Sequence, residues 1–450
     1  MSAASALRRP LHPSTVLVAL FASAIALGSA LLMLPLSSTQ PTSWLTALFT
    51  ATSAVCVTGL ALVDTGTHWS LFGQAVILGL IQIGGFGMMT AASLLAMLVN
   101  SQLRMRSRLL LQAENRALAL GDVRSVAKLV LAVTLIVELL AAAVLTLRFA
   151  AAYEMPWREA AWQGLFHAVS AFNNAGFSTY PDSVMRFVAD GWVLSPLMVA
   201  IVIGGLGFPV LHELLLRRRE RARLSLHAQL TLWGSAALLL GGALALGAAE
   251  WSNARTLAPL EAAGKVWAAL FASVSARTAG FNSLDIAALS TESLVLHYAL
   301  MFVGGGSAGT AGGLKVTTAG VLLLAVWSEV RGHRDIEFLG RRLHESALRQ
   351  ALTVLMLSSA VVVLATLVMV PMVEHLPGVR FEAVLFEVIS AFATVGLSTG
   401  LTAQLPPAGQ LLLVALMFLG RVGIVTLVVA LALNPDRRPY RYPEEKPLVG

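Results

Sequence analysis

Charge is scarce in this chain. Asp, Glu, Lys and Arg together make up 12% of 450 residues, against 57% hydrophobic, and the mean hydropathy is +0.78. A soluble globular domain carries roughly a quarter charged residues, so the deficit excludes that class and indicates a polytopic protein of the lipid bilayer. Cysteine is scarcer still: Cys56 alone excludes an intramolecular disulfide and gives no basis for a thiolate metal cluster. It reads as a small buried residue. His68, His167 and His297 lack any spacing that argues for a metal.

Acidic residues are outnumbered 24 to 31, for a formal charge of +7. The surplus sits in five clusters: Arg8 and Arg9; Arg104, Arg106, Arg108, Arg116, Arg124 and Lys128; Arg217, Arg218, Arg219, Arg221 and Arg223; Arg331, Arg334, Arg341, Arg342 and Arg349; and Arg437, Arg438, Arg441 and Lys446. Nucleic-acid binding would need one contiguous basic face with aromatics, which is absent. Alternation of basic with poorly basic loops is instead the positive-inside pattern, which puts all five clusters and both termini in the cytoplasm.

What the chain does have is a motif that returns four times. Residues 52–60 read Thr-Ser-Ala-Val-Cys-Val-Thr-Gly-Leu, and weaker copies lie at 170–178, 275–283 and 390–398. Each places a glycine (Gly59, Gly176, Gly280, Gly396) before a bulky apolar residue, with a serine six residues earlier in copies one, two and four and five earlier in copy three. Internal repeats decide the architecture before any other feature. Glycine tolerates backbone conformations that set successive carbonyls on one side of an extended segment. Four such segments about an axis make a ring of oxygens that replaces the hydration shell of a monovalent cation. For a single copy, an ordinary turn explains the glycine as well; four in register favour the ring.

Apolar runs near residues 14–36, 71–99, 126–147, 191–216, 226–249, 294–326, 350–373 and 408–433 reach the roughly 20 residues that a spanning helix needs. A signal peptide is the alternative for the first, but its apolar run is too long for a typical signal core. Between the members of each pair lie shorter segments, 42–55, 159–173, 261–276 and 381–393, which suit re-entrant half-helices. Pro41, Pro156 and Pro259 precede three of them, as suits helix starts. Their carboxyl ends, with partial negative charge, then point at the motif and favour a cation. The expected fold is an all-α integral membrane protein of four pseudo-repeated helix, re-entrant pore helix-loop, helix units around one central pore, with eight spans and four pore helices. The units are repeat 1 (1–100), repeat 2 (101–216), repeat 3 (217–330), repeat 4 (331–434) and a cytoplasmic tail (435–450). An even number of spans orients all four alike, whereas inverted repeats would need an odd number.

A second set of glycines marks the later helix of each repeat: Gly84, Gly85 and Gly87; Gly204, Gly205 and Gly207; Gly304, Gly305 and Gly306; Gly420 and Gly423. Close helix packing accounts for them in repeats one, two and four. Repeat three differs. Gly304, Gly305, Gly306, Ser307, Ala308, Gly309, Thr310, Ala311, Gly312 and Gly313 follow one another, and so much glycine breaks a helix. The break lies below the ring, where a loop opens or closes the path. The same stretch fits a dinucleotide loop and a nucleophile elbow on Ser307, but both need a preceding strand, and the flanks read as membrane helix. Lys315 and Arg421 are basic residues within apolar runs, a costly placement that marks a cavity or a partner. Arg421 occupies the place of a glycine and projects toward the axis near the broken loop, whereas snorkelling to the interface suits Lys315. Glu138 reads as a packed or paired carboxyl, and Arg277 as a structural hydrogen-bonding group that stiffens its filter segment.

The segments around Gly59, Gly84 to Gly87, Gly176, Arg277 to Phe281, Gly305 to Lys315 and Gly420 to Gly423 resemble, over essentially the whole chain, the Trk/Ktr/HKT superfamily of potassium uptake proteins. The chain is most similar to the bacterial KtrB-type membrane subunit; TrkH-type relatives carry a further helical pair before the first repeat. The resemblance implies a homodimer with one pore per subunit and a filter in which the carbonyls of Val57, Thr58, Gly59, Asn174, Ala175, Gly176, Thr278, Ala279, Gly280, Thr394, Val395 and Gly396 bind potassium. It implies a gating loop at 304–313 with Lys315, a pore-restricting Arg421, a cytosolic nucleotide-binding ring of the KtrA/TrkA type and, in some members, sodium dependence. The residues before each glycine differ between copies, so the ring is less regular than that of a symmetric tetramer. The expected function is potential-driven potassium uptake across the bacterial cytoplasmic membrane, without catalysis or organic cofactor. The rival is a sodium- or proton-coupled symporter, which would want a carboxylate on the path. An intramembrane hydrolase on Ser307 is a third class; cation uptake that survives Ser307→Ala, measured in cells or liposomes, removes its main support.

Overall fold

The computed structural model describes residues 13–107, 123–217, 224–333 and 335–423. The expectations for Arg8, Arg9, Arg108, Arg116, Arg218, Arg219, Arg221, Arg223, Arg334, Arg437, Arg438, Arg441, Lys446 and the tail at 435–450 lie outside the described residues. Four times the chain runs a helix, a short helix, an extended segment and a second helix. The first set is α1 (Pro13–Leu32), α2 (Trp44–Val55), the single turn α3 (Thr65–His68) and α4 (Leu71–Ser107). The second is α5 (Val123–Ala152), α6 (Trp157–Phe172), α7 (Gly191–Leu206) and α8 (Phe208–Arg217). The third is α9 (Leu226–Glu250), α10 (Ala262–Ala276), α11 (Thr291–Phe302) and α12 (Val316–Val330). The last is α13 (Glu345–Val373), α14 (Phe381–Phe392) and α15 (Pro407–Val422). A hairpin joins the third set to the fourth, β1 (Glu337–Phe338) pairing antiparallel with β2 (Arg341–Arg342) through Leu339 and Gly340 at positive φ.

Local chemistry sets the starts of these helices. Ser43, Ser225 and Ser290 cap α2, α9 and α11 by accepting from N–H groups of Thr46, Ala228 and Ser293, and Asp190 caps α7 through Trp192. Side-chain oxygens at these positions satisfy donors that no helical carbonyl reaches. Pro156 is the residue before α6, while Pro41 and Pro259 lie further upstream of α2 and α10.

Each short helix packs against the long helix before it and the helix after it, and each later helix also packs on the short helix of the next set: α4 on α6, α7 on α10, α11 on α14, and α15 back on α2. The arrangement therefore closes on itself. Outward faces are apolar: Leu135, Leu139 and Leu140 of α5 and Val363, Leu364 and Leu367 of α13 are exposed, while Leu145 and Phe149, Val362 and Met369 face in. A helix apolar on all sides belongs in a core or a membrane. Among the described residues five helices, α1, α4, α5, α9 and α13, are long and apolar enough to cross a bilayer, and α7 with α8 makes a bent sixth.

Two of the expected runs are not single helices. The run at 294–326 is broken between α11 and α12, as the glycine content predicts. The run at 191–216 was expected as one span but bends by 99° at Gly207, whose φ of 91° and ψ of 143° leave the helical region. The run at 408–433 is described as a helix to Val422.

The second glycine set permits close backbone approach. A Cβ on Gly84, Gly204 or Gly420 would meet the carbonyl oxygen of Val55, Phe172 or Phe392, the last residue of α2, α6 or α14. On Gly79, one turn or so away on α4, a Cβ would meet nothing within 4 Å. Alanine in a helix interior is favoured over glycine by about 1 kcal/mol, whereas overpacking costs about 1–3 kcal/mol. Gly79→Ala is thus expected to hold or raise the unfolding temperature of the purified protein and Gly84→Ala to lower it, a difference of sign that thermal unfolding in detergent reads directly.

Candidate functional site

Each short helix delivers its carboxyl end to one copy of the motif, and the chain there adopts the same conformation four times. The residue two before the glycine has positive φ, at Val57 (55°), Asn174 (58°), Thr278 (73°) and Thr394 (50°), and so does the glycine, at Gly59 (93°), Gly176 (68°), Gly280 (78°) and Gly396 (96°). Positive φ is rare for any L residue and a genuine outlier for a β-branched one, as Val57, Thr278 and Thr394 are. Strain of this kind persists where the surroundings over-determine it. They do so here through the serine of each copy. The carbonyls of Ser53, Ser170, Ser275 and Ser390 accept from the N–H of Thr58, Ala175, Ala279 and Val395 at 2.7–2.9 Å. Their hydroxyls bind the next stretch of backbone: Ser53 accepts from Gly59 N–H at 3.0 Å, and Ser170, Ser275 and Ser390 donate to the carbonyls of Phe177, Phe281 and Leu397 at 2.6–2.8 Å.

The copies meet in order around a closed ring. A Cβ on Gly59 would lie 3.0 Å from the Cα of Gly176, on Gly176 2.9 Å from that of Gly280, on Gly280 3.1 Å from that of Gly396, and on Gly396 3.1 Å from that of Gly59. In the same directions it would strike the carbonyl oxygens of Ala175, Ala279, Val395 and Thr58. All of these residues are buried except Gly59, which is half-buried. Among the described residues, no backbone N–H outside the regular elements donates to the carbonyls of the three residues ending in each glycine. Buried carbonyls are otherwise almost always paired. Oxygens so placed, with helix carboxyl ends behind them, suit a cation.

Directly against this ring lies the segment that breaks the third later helix. Its ends are joined by a parallel bridge between Val303 and Leu314. Gly304 abuts Thr278, Gly312 abuts Thr394 and the Ala393 carbonyl, and the Thr310 hydroxyl donates to the Phe172 carbonyl at 3.2 Å. The bend at Gly207 receives it: Gly306 and Thr310 N–H groups donate to the carbonyls of Gly205 and Gly204, and Phe208 N–H donates to the Ala308 carbonyl. Gly204, Gly205 and Gly207 therefore serve the loop as well as packing. The clustering of glycine before Phe208 was the available signal for that bend.

Three basic groups hold the loop, Arg277 and Arg421 buried and Lys315 half-buried. Arg421, 2% exposed, donates to the carbonyls of Thr310 and Gly84, bridging the loop to α4. Lys315 Nζ donates to the carbonyl of Ala311 at 2.7 Å; it turns back onto the loop and does not snorkel, because a charge-assisted bond is within reach. Arg277 donates to the Gly304 carbonyl at 2.8 Å and to Ser235 on α9. It has the structural hydrogen-bonding role its place before Gly280 suggests, and it fastens the loop to a neighbouring helix. Glu138 accepts from Gln82 at 3.1 Å and Asn173 at 3.0 Å, and so ties α5 to the second copy. Ser307 Oγ is 3.1 Å from Thr317 Oγ1, with helices rather than strands on both flanks. His167 meets Gln163 and Ser178, His297 meets Ser293 and His68 meets Thr42.

A family model described as "TrkH: Cation transport protein" matches residues 8–439. The chain is 40% identical over 438 residues to Ktr system potassium uptake protein B of Bacillus subtilis, covering 97% of each. It is 36% identical over 451 residues to Potassium/sodium uptake protein NtpJ of Enterococcus hirae, covering 98% of each. Its fold is similar to that in the crystal structure of the potassium transporter TrkH from Vibrio parahaemolyticus, with a TM-score of 0.71 at 18% identity over 96% of this chain and 87% of that one.

Serine in place of Gly59, Gly176, Gly280 or Gly396 adds a Cβ at positive φ, where backbone strain alone costs about 1–3 kcal/mol. Each variant is expected to raise the half-saturation concentration for cation uptake about tenfold, measured as tracer flux. Wild-type kinetics in all four would remove the ring from the conduction path.

Proposed function

We propose that this chain, which belongs to the TrkH family of cation transport proteins, is the ion-conducting subunit of a potassium uptake system in the bacterial cytoplasmic membrane. The observation that carries the proposal is the closed ring in which Gly59, Gly176, Gly280 and Gly396 each lie against a main-chain oxygen of another copy. Carbonyl oxygens replace the hydration shell of a monovalent cation without any side-chain chemistry. The names of the Bacillus subtilis and Enterococcus hirae relatives support potassium as the ion, and the latter supports a part for sodium.

In this reading the chain comprises four repeats, 1–100, 101–216, 217–330 and 331–434, giving eight spans with both termini in the cytoplasm. The carbonyls of Val57, Thr58 and Gly59 and of the matching residues of the other copies form the filter. The loop at 304–313 is the gate, and Arg277, Lys315 and Arg421 hold it shut. A membrane potential supplies about 2.3 kcal/mol per charge per 100 mV, enough to drive uptake without a coupled reaction. A homodimer with a cytosolic nucleotide-binding ring of the KtrA type completes the system; the Ktr system names of the relatives support a second component.

A sodium-coupled symporter is the second reading, favoured by the potassium/sodium name of the Enterococcus hirae relative. Against a carboxylate-based coupling site, both oxygens of Glu138 are already engaged, by Gln82 and Asn173. Rubidium flux into liposomes separates the two. Potential-driven conduction predicts flux that follows an imposed potassium-diffusion potential with no sodium or proton gradient present, whereas obligate coupling predicts none. Deletion of residues 305–312 is expected to raise that flux severalfold; unchanged flux would show that the loop is no gate.

A further inference from the structure

A carboxylate removed from solvent stands behind the fourth filter copy and takes no part in the mechanism above. Glu387 lies on α14, nine residues before Gly396 and one helical turn before Ser390, and is 0% exposed. One carboxylate oxygen accepts from the Ser398 hydroxyl at 2.7 Å, the Thr399 N–H at 2.9 Å and the Thr399 hydroxyl at 3.0 Å. The other accepts from the Thr402 hydroxyl. Glu387 and Ser390 thus grip consecutive parts of the chain as it leaves the ring, Ser390 at Gly396 and Leu397 and Glu387 from Ser398 to Thr402.

The second copy has the same device without the charge. His167 lies nine residues before Gly176, and its Nε2 is 2.9 Å from the hydroxyl of Ser178, which follows Gly176 by two as Ser398 follows Gly396. At the corresponding place the first copy has Thr50 and the third, counted from its serine, has Ala272. Only the fourth carries an acid. Among the described ion pairs none contains Glu387. A buried carboxylate is tolerated when hydrogen-bonded and matched by positive charge. Its donors provide the first condition; a cation in the adjacent ring provides the second.

We propose that Glu387 is a positioning residue that sets how tightly and how selectively the ring holds potassium. It fixes the outgoing segment at 397–402, so that the Val395 carbonyl stays against Gly280 and Gly396 stays against the Thr58 carbonyl, and its charge is balanced by the bound ion. The proposal rests on the potassium reading of the ring.

The test reconstitutes wild type, Glu387→Gln and Thr402→Val in liposomes and measures rubidium and potassium uptake, inhibition by sodium, and thermal unfolding. Glutamine keeps the size but removes the charge and turns an amide N–H₂ toward donors. The half-saturation concentration is expected to rise about tenfold, the change that loss of one charge-assisted hydrogen bond corresponds to, with sodium competing better and the maximal rate changing less. Thr402→Val keeps the charge and removes one donor, so the same shift is expected at smaller size with near-wild-type unfolding; it decides the matter should Glu387→Gln not fold. Half-saturation and sodium competition equal to wild type, or a fall in maximal rate or unfolding temperature alone, would overturn the proposal by reducing Glu387 to a structural role. Wild-type protein that takes up no potassium would instead overturn the transport reading.

Discussion

A buried carbonyl oxygen without an N–H partner is costly, and this molecule gathers four sets of such oxygens about one ring of glycines. The short helices end where they do because the residue after each cap enters the left-handed region, at Val57, Asn174, Thr278 and Thr394. No ordinary turn would place β-branched side chains there. The serines one and a half turns upstream make the conformation tolerable by binding the backbone on either side of the glycine. Glycine at the meeting point is required twice over, by its own φ and by the neighbouring copy within about 3 Å of where a Cβ would stand.

The four units share this ring but not their surroundings. Beneath it, Arg277, Lys315 and Arg421 direct charged donors at carbonyls of the loop or its ends. Hydrogen bonds from charged groups are worth about 1.5–3 kcal/mol each, so the three fasten the loop firmly against the ring. Beside the ring, Glu138 and Glu387 are satisfied by amides, hydroxyls and backbone N–H groups. Basic groups thus engage the loop and acidic groups brace copies of the glycine motif.

Much of this was legible in the residues alone. The short helices expected at 42–55, 159–173, 261–276 and 381–393 are found at Trp44–Val55, Trp157–Phe172, Ala262–Ala276 and Phe381–Phe392, because length and apolarity are local properties. The break after Phe302 followed from glycine content in the same way. The bend at Gly207 did not, since Gly204, Gly205 and Gly207 serve close packing as readily as a hinge; the loop that docks there decides between them. The partners of Lys315 and Arg277 are hidden from the sequence for a related cause. A cationic side chain takes the nearest strong acceptor, and which carbonyl that is depends on how distant segments lie together.

A membrane protein with a fourfold motif, its glycines, its half-helices and the break in the third later helix follow from the residues, since composition, period and propensity act over short stretches. That the four glycines close a ring in chain order, that Arg421 spans from Thr310 to Gly84, and that Glu387 grips the chain leaving the fourth copy emerge from the folded chain alone. Those relations join residues up to 337 positions apart, and no local preference encodes a distance across the axis.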